Sequence, residues 1–371
     1  MTRRLPTLIL LMVMVLAATG LGLQGGTALN QATYEMLIML VLVVGLYAFV
    51  GISGIFSFGH VALMGVGGYA AAIVSMSEVQ QRIQLEDLPP FIGDLQLGVW
   101  PAIALGAGLA ALVALIVAPP LMRLSGLAAS LATVALLIAT RVVLQNWETY
   151  TRGTRGLILD ATRPSLATLL VTALVSIVVA FLFRWSSVGR RLAASREDEA
   201  AARAIGVRIW WERGAAWLLS AGTVGAAGAV YALHFRNISP DSFYLSLTFA
   251  SLAMLVVGGL KSLSGAVVGT ITLTAILEVF RAAERGVEIG SIRTPSRPGL
   301  TEFGLAAVLL AVLIWKPRGL TGGRELGAEV RWRKHRATEE QDQAEERTPS
   351  RGSASNAFVP GSSSQTRSRE E

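Results

Sequence analysis

Ser57, His60 and Tyr69 stand at close spacing in ISGIFSFGHVALMGVGGYAAAI, residues 52–73, beside Gly65, Gly67 and Gly68. Hydroxyl, imidazole and phenol groups can all exchange hydrogen bonds with a polar solute. Polar side chains on a glycine-loosened helix inside an apolar bundle are the ingredients of a translocation path. The same residues also fit a packing histidine satisfied at a helix start, and their spacing alone does not separate the two readings.

Bond-making chemistry has thinner support. The chain has no cysteine, which excludes disulfides, thiolate zinc sites and cysteine nucleophiles. His60, His234 and His335 are too scattered for a metal site of the usual spacing. Neither a Gly-x-Ser-x-Gly elbow nor a His-Glu-x-x-His pair occurs. GGLKSLSG (258–265) offers Gly, Lys and Ser in a suggestive order, but Leu260 precedes Lys261 where a phosphate-binding P-loop requires glycine. No catalytic residue, metal site or cofactor bound by this chain is expected, and the chain reads as a non-enzyme.

Three further polar stretches stand out. Arg141 and Arg281 fall near the ends of apolar runs. A central arginine costs about 2.5–3.5 kcal/mol on insertion scales, and snorkelling lowers that cost near an end. Glu278 shares a helix face with Arg281 and can pair with it, whereas Arg141 has no evident partner; structural anchoring is the better reading of both. NWETYTRGTRGL (146–157) reads as a flexible polar connection, open to a ligand or docking protein or simply a loop. VGRRLAASREDEAAARAIGVRIWWER (188–213) reads as a charged helix broken at Gly206 between two apolar stretches, with Ala201, Ala204 and Ile205 on one face at i, i+3 and i+4. Such a small-residue face suits a shallow groove on a partner protein. The alternative is an interfacial helix on anionic lipid, although alanines would gain little from lipid burial.

The elements that must position these residues follow from composition. The chain is 53% hydrophobic and 15% charged, against about 25% charged in soluble domains. Apolar runs approaching the roughly 20 residues of a bilayer-spanning helix recur at about 5–23, 34–53, 59–76, 99–119, 124–145, 166–184, 213–233, 244–260, 263–283 and 302–316. The expected fold is an all-α polytopic membrane protein of about ten helices. The division is an N-terminal helix and connection (1–33), a transmembrane domain (34–318) and a disordered tail (319–371) whose composition buries too little to fold. The first run is read as a retained helix, being longer than the ~7–15 residues of a signal-peptide core. Arg190, Arg191, Arg196, Arg203 and Arg208 place the 185–212 connection in the cytoplasm, Lys316 and Arg318 place the tail there, and the acidic 77–98 connection falls outside. Connection 284–301, with Arg285, Arg293 and Arg297, goes against that bias. The net charge of +7 lies in connections and tail without aromatic interleaving, so no nucleic-acid partner is expected. ISGIFSF before the third run and ISPDSF (238–243) before the eighth hint at two inverted five-helix repeats.

SFGHVALMGVGGYAAA (57–72), RLSGLAASLATVALLIATRVVLQNWETYTRGTRGL (123–157), VGRRLAASREDEAAARAIGV (188–207), ISPDSF (238–243) and VVGGLKSLSGAVVGT (256–270) together resemble the inner-membrane permeases of branched-chain amino-acid ABC transporters, of the LivM type. The resemblance covers roughly residues 35–320. It implies a sister permease, two cytoplasmic ABC ATPases that use ATP, and an external substrate-binding protein as partners. It also implies ATPase coupling through Glu199, Ala200, Ala201, Ala204, Ile205 and Gly206, with Ala200 where the wider permease motif has glutamate. The substrate it implies is a branched-chain amino acid; urea or a short amide is the alternative within the family. A self-sufficient channel or ion-coupled carrier is the reading from a different class. Ion coupling usually needs buried carboxylates, and Glu278 is the candidate within a span.

Overall fold

The computed structural model describes residues 5–85, 88–89, 93, 95–285, 288–289, 292–293 and 299–326. The tail beyond 326, with His335, lies outside them. The described elements are helices, with two-residue strands at the connections. They are α1 (Leu5–Leu23), α2 (Thr27–Leu46, continued by a π turn Tyr47–Gly51), α3 (His60–Ser75), α4 (Glu78–Gln84), α5 (Val99–Leu121), α6 (Gly126–Asn146), α7 (Leu166–Trp185), α8 (Ser187–Glu197), α9 (Glu199–Ala204), α10 (Ile209–Phe235), α11 (Leu245–Gly258), α12 (Leu263–Arg285) and α13 (Leu300–Trp315).

Every one of the ten apolar runs is helical, but among the described residues eight helices are long and apolar enough to cross a membrane, or nine if the bent pair α3–α4 is one span. The third run is shorter than its hydropathy suggests because the chain turns by 120° after α3. Ser77 is the reason: its side chain accepts from the Gln80 amide (3.3 Å) and caps α4. The Ser-x-x-Gln spacing that signals such a cap is present in the acidic connection read as loop. The tenth run, α13, has only 16 residues.

The ends of the bundle alternate along the chain. The basic connection with α8 and α9 shares one end, here the basic end, with Gly51–Gly54, the α11–α12 junction and residues 319–326, through bonds from Arg196 to Gly51, Lys261 to Glu197 and Leu320 to Val257. At the opposite end, β1 (Leu157–Ile158) pairs antiparallel with β2 (Asn237–Ile238), with Leu157 opposite Ile238. Connection 146–157, read as flexible, is pinned there. Gln84 donates to the Ile158 carbonyl (2.6 Å) and accepts from the Ile158 amide (3.0 Å). Gly156 lies at φ +69 with its Cα facing the Ile238 carbonyl, where a Cβ would come within 2.2 Å.

The centre is built on backbone contact. α10 packs against α3, α5 and α2. A Cβ at Gly228 would lie 1.9 Å from the Met64 carbonyl oxygen, one at Gly67 2.4 Å from the Gly225 oxygen, and one at Gly106 2.6 Å from the Gly67 oxygen. Lipid offers no hydrophobic drive for helix pairing, so contact at this distance is what van der Waals packing can exploit. Trp217, fully buried, donates to the Ala114 carbonyl (3.1 Å), and Ser220 donates to the Gly45 carbonyl (2.6 Å), fixing α10 to α5 and α2. GGLKSLSG is packing rather than phosphate binding, since a Cβ at Gly258 would meet the Gly265 oxygen at 1.8 Å.

Residues 319–326, read from composition as the start of the disordered tail, belong to the folded part. Glu325 accepts from the Leu263 and Ser264 amides (2.9 and 3.1 Å) and from the Ser264 hydroxyl (2.7 Å), satisfying the first turn of α12.

Gly228→Ala forces a backbone shift, whereas a Cβ at Gly108 meets nothing within 4 Å. We expect Gly228→Ala to cost at least the ~1–3 kcal/mol of overpacking and Gly108→Ala to be neutral. Thermal unfolding of the two variants in mild detergent, followed by size-exclusion chromatography, measures the difference.

Candidate functional site

Between the π turn and α3, residues 54–59 are non-helical and their backbone groups need partners from outside the segment. α3, 16 residues long, spans ~24 Å at 1.5 Å per residue, short of the ~30 Å hydrocarbon core. The missing partners come from α6: the Thr133 hydroxyl accepts from the Phe58 amide (3.1 Å) and the Ser130 hydroxyl donates to the Phe56 carbonyl (2.9 Å). Ser57 and His60 meet here. The Ser57 Oγ and His60 Nδ1 are 2.8 Å apart, and both residues are fully buried. The imidazole lies between Trp217 (centroids 4.9 Å apart) and Phe49 (5.5 Å), and its Nε2 has no hydrogen-bond partner among the described residues.

Tyr69 is not part of this pair. It lies nine residues further along α3, ~13 Å up the axis, packed near Phe243 with its hydroxyl buried and without a hydrogen-bond partner among the described residues. The structure therefore brings Ser57 and His60 together, separates Tyr69 from them, and encloses all three within the chain's own packing.

The coupling residues are arranged quite differently. The 188–213 helix breaks at Asp198 as well as near Gly206, because the Asp198 carboxylate accepts from the Ala201 amide (2.9 Å) and starts α9 afresh. Gly206 takes φ +83 and ends that turn. Ala202 faces inward, while Ala200, Ala201, Ala204, Gly206 and Ile205 (78% exposed) face out. Glu199 is half-buried and accepts from Arg203 and Arg213. Beside this face a depression of about 490 Å³ runs between Ile205, Val207, Arg208 and Trp211.

Four ties hold α8 and α9 to the bundle. Arg191 donates to the buried Glu212 at the start of α10 (2.6 Å), and Arg213 donates to Glu199 (3.0 Å). Lys261, at the α11–α12 junction, donates to Glu197 (3.1 Å) and holds that carboxyl below its ordinary range. Arg196 donates to the Gly51 carbonyl and packs its stem where Gly54, at φ +77, leaves no Cβ in the way. The arginine thus touches the same non-helical segment that carries Ser57.

Charged groups that the sequence reading left unpaired or overlooked lie toward the opposite end. Arg281 pairs with Glu35 of α2 as well as with Glu278 (3.7 Å), so Glu278 is one of two carboxylates there. Arg141 donates through Nε (2.8 Å) and one terminal nitrogen (2.6 Å) to Oδ1 of Asp241, on the turn Pro240–Phe243 before α11, and its guanidinium lies 4.3 Å from the Tyr244 ring centroid. Asp241 stands one hundred positions along the chain from Arg141; ISPDSF carried the signal, but no local pattern could join them.

Residues 27–313 match the family model described as "Branched-chain amino acid transport system / permease component". The high-affinity branched-chain amino acid transport system permease protein LivM of Escherichia coli is 24% identical over 84% of this chain and 74% of its own length, and LivM of Salmonella typhimurium matches to the same extent. The solved structure of PsaBC from Streptococcus pneumoniae in complex with Fab aligns over 82% of this chain and 97% of that one, at 16% identity and a TM-score of 0.34, too low to argue from.

Thr133→Val leaves the Phe58 amide without its acceptor. We expect a loss of about 1–3 kcal/mol, the cost of an unsatisfied buried donor, and a smaller loss for Ser130→Ala, whose hydroxyl is exposed; thermal unfolding of both in detergent checks the order.

Proposed function

The chain belongs to the permease family of branched-chain amino acid transport systems, and we propose on that premise that it is the transmembrane subunit of an ATP-driven importer for branched-chain amino acids. In this reading the basic end is cytoplasmic. A sister permease completes the path, two ABC ATPases dock on α8 and α9, and an external binding protein delivers the substrate. This chain contributes no ATP site of its own; ATP is used by the partner subunits.

The observation that carries the reading is the arrangement around Arg196. α9 presents an outward face of alanines with Ile205 at its edge, suited to a groove on a partner. α8, rigidly tied to it, reaches through Arg196 to Gly51 and Gly54, at the foot of the segment holding Ser57 and His60. A displacement imposed on α9 is thereby delivered to the non-helical segment that the bundle holds at the start of α3. Movement of a segment at this place is what a transport cycle needs. Ser57 and His60 act in this reading as the polar interior of that moving segment, with Tyr69 a separate polar group ~13 Å further along α3.

An ATPase-independent carrier would need a buried, ionisable carboxylate. Glu212 is held by Arg191, and Glu35 and Glu278 both lie against Arg281, so all three carboxylates are engaged in ion pairs rather than free. Urea or a short amide remains the competing substrate class.

Ala201→Arg places a long cation on the exposed face without touching the fold. We expect insertion and thermal stability to be unchanged, co-purification of ATPase subunits to be lost and uptake to fall to background. Normal uptake at normal expression would remove the coupling assignment.

A further inference from the structure

Most of the exposed faces of this bundle are what lipid requires. α1 shows Leu10, Val13 and Leu16, and α5 shows Leu109, Leu112 and Ile116. One strip differs. α3 packs against both α6 and α11. Along the boundary of those two helices lie the exposed Ser130 hydroxyl and Phe56, the Phe58–Phe249 pair (centroids 6.3 Å apart), and then the Arg141–Asp241 ion pair with Tyr244. Arg141 lies five residues before the end of α6, ~7 Å below it at 1.5 Å per residue. Its side chain is 32% exposed and that of Asp241 is 66% exposed. Charges presented outward below the helix end are disfavoured against lipid and accepted against a wet, protein-walled space.

The geometry of the pair leaves part of each group open. Both donors of Arg141 go to a single oxygen of Asp241, so Oδ2 of Asp241 and the second terminal nitrogen of Arg141 have no partner among the described residues. Tyr244 under the guanidinium fixes its plane. An unused carboxylate oxygen beside an unused guanidinium nitrogen is the complement of an ammonium beside a carboxylate. Charge-assisted hydrogen bonds of this kind are about twice as strong as neutral ones. The aromatic pair lies roughly two turns deeper: Thr133, which holds Phe58, is eight residues from Arg141 on α6, ~12 Å along the axis.

We propose that Arg141 and Asp241, with Tyr244 as support, form a subsite for the α-carboxylate and α-ammonium of a zwitterionic amino acid entering from the opposite end, its side chain directed down the strip toward Phe58 and Phe249. This rests on the importer reading above and sharpens it. A zwitterion leaves the site neutral and uses both open valences as charged bonds. Urea or an amide offers only neutral groups there.

The test uses the full chain reconstituted in liposomes with the partner subunits that co-purify with it, saturating binding protein outside and ATP inside, and follows labelled leucine. Leucine uptake by the unmodified assembly tests the importer reading; an assembly that moves urea and not leucine ends that reading and this subsite with it. Where leucine is carried, Asp241→Asn is expected to cut its turnover at least tenfold with assembly and ATP hydrolysis kept. Wild-type turnover would overturn the subsite and leave the importer reading standing. If Asp241→Asn does not assemble, Arg141→Lys, which keeps the charge and loses the planar fork, takes its place with the same expected loss. The exchange Arg141→Asp with Asp241→Arg separates anchoring from recognition. It restores an ion pair but reverses the charges the ligand meets, so thermal stability is expected to return while uptake does not. Full recovery of uptake would make the pair structural.

Discussion

The fold depends on three helices meeting backbone to backbone. Gly67, Gly106, Gly225 and Gly228 bring α3, α5 and α10 so close that a single methyl group at most of these positions would overlap a carbonyl oxygen. Each added atom in such a contact costs directly, because no apolar solvent term compensates in lipid. The close approach does more than hold the bundle. It fixes the height of α3 against α10, and so sets His60 beside Trp217 and leaves the residues just before His60 as non-helical chain.

That non-helical segment is held from two directions by different kinds of group. Hydroxyls of α6 satisfy Phe56 and Phe58 from the side, and a guanidinium from α8 satisfies Gly51 from below. The first set is internal to the bundle. The second comes from the helix whose neighbour, α9, displays its small residues outward. The charges of α8 are mostly consumed in this attachment, by Glu212, Glu197 with Lys261, and Gly51, so a charged helix between apolar ones serves as much to grip its own bundle as to meet another protein.

Much of this was legible in the chain. All ten apolar runs became helices, although α3 and α13 fall short of a full span by themselves. The outward alanine face of α9 followed from its i, i+3, i+4 spacing. What was hidden depended on partners distant in sequence. Asp241 completes Arg141 across one hundred positions, Glu35 completes Arg281 across 246, and Glu325 caps a helix 62 residues before it. Local cues also lost to stronger local chemistry: Asp198 and Ser77 each started a new helix where hydropathy alone suggested continuation or loop.

The clasp formed by residues 319–326 closes a ring. Leu320 and Thr321 bond to Val257 and Gly258, and Glu325 to Leu263 and Ser264, so the chain leaving α13 is stitched back to the junction it left before α12. Tension applied to the C-terminal segment therefore does not peel α13 from the bundle. It is borne by the α11–α12 junction, one residue of which, Lys261, is bonded to Glu197 of α8. The C-terminal segment and the exposed helix at the basic end thus have one anchorage in common, the α11–α12 junction.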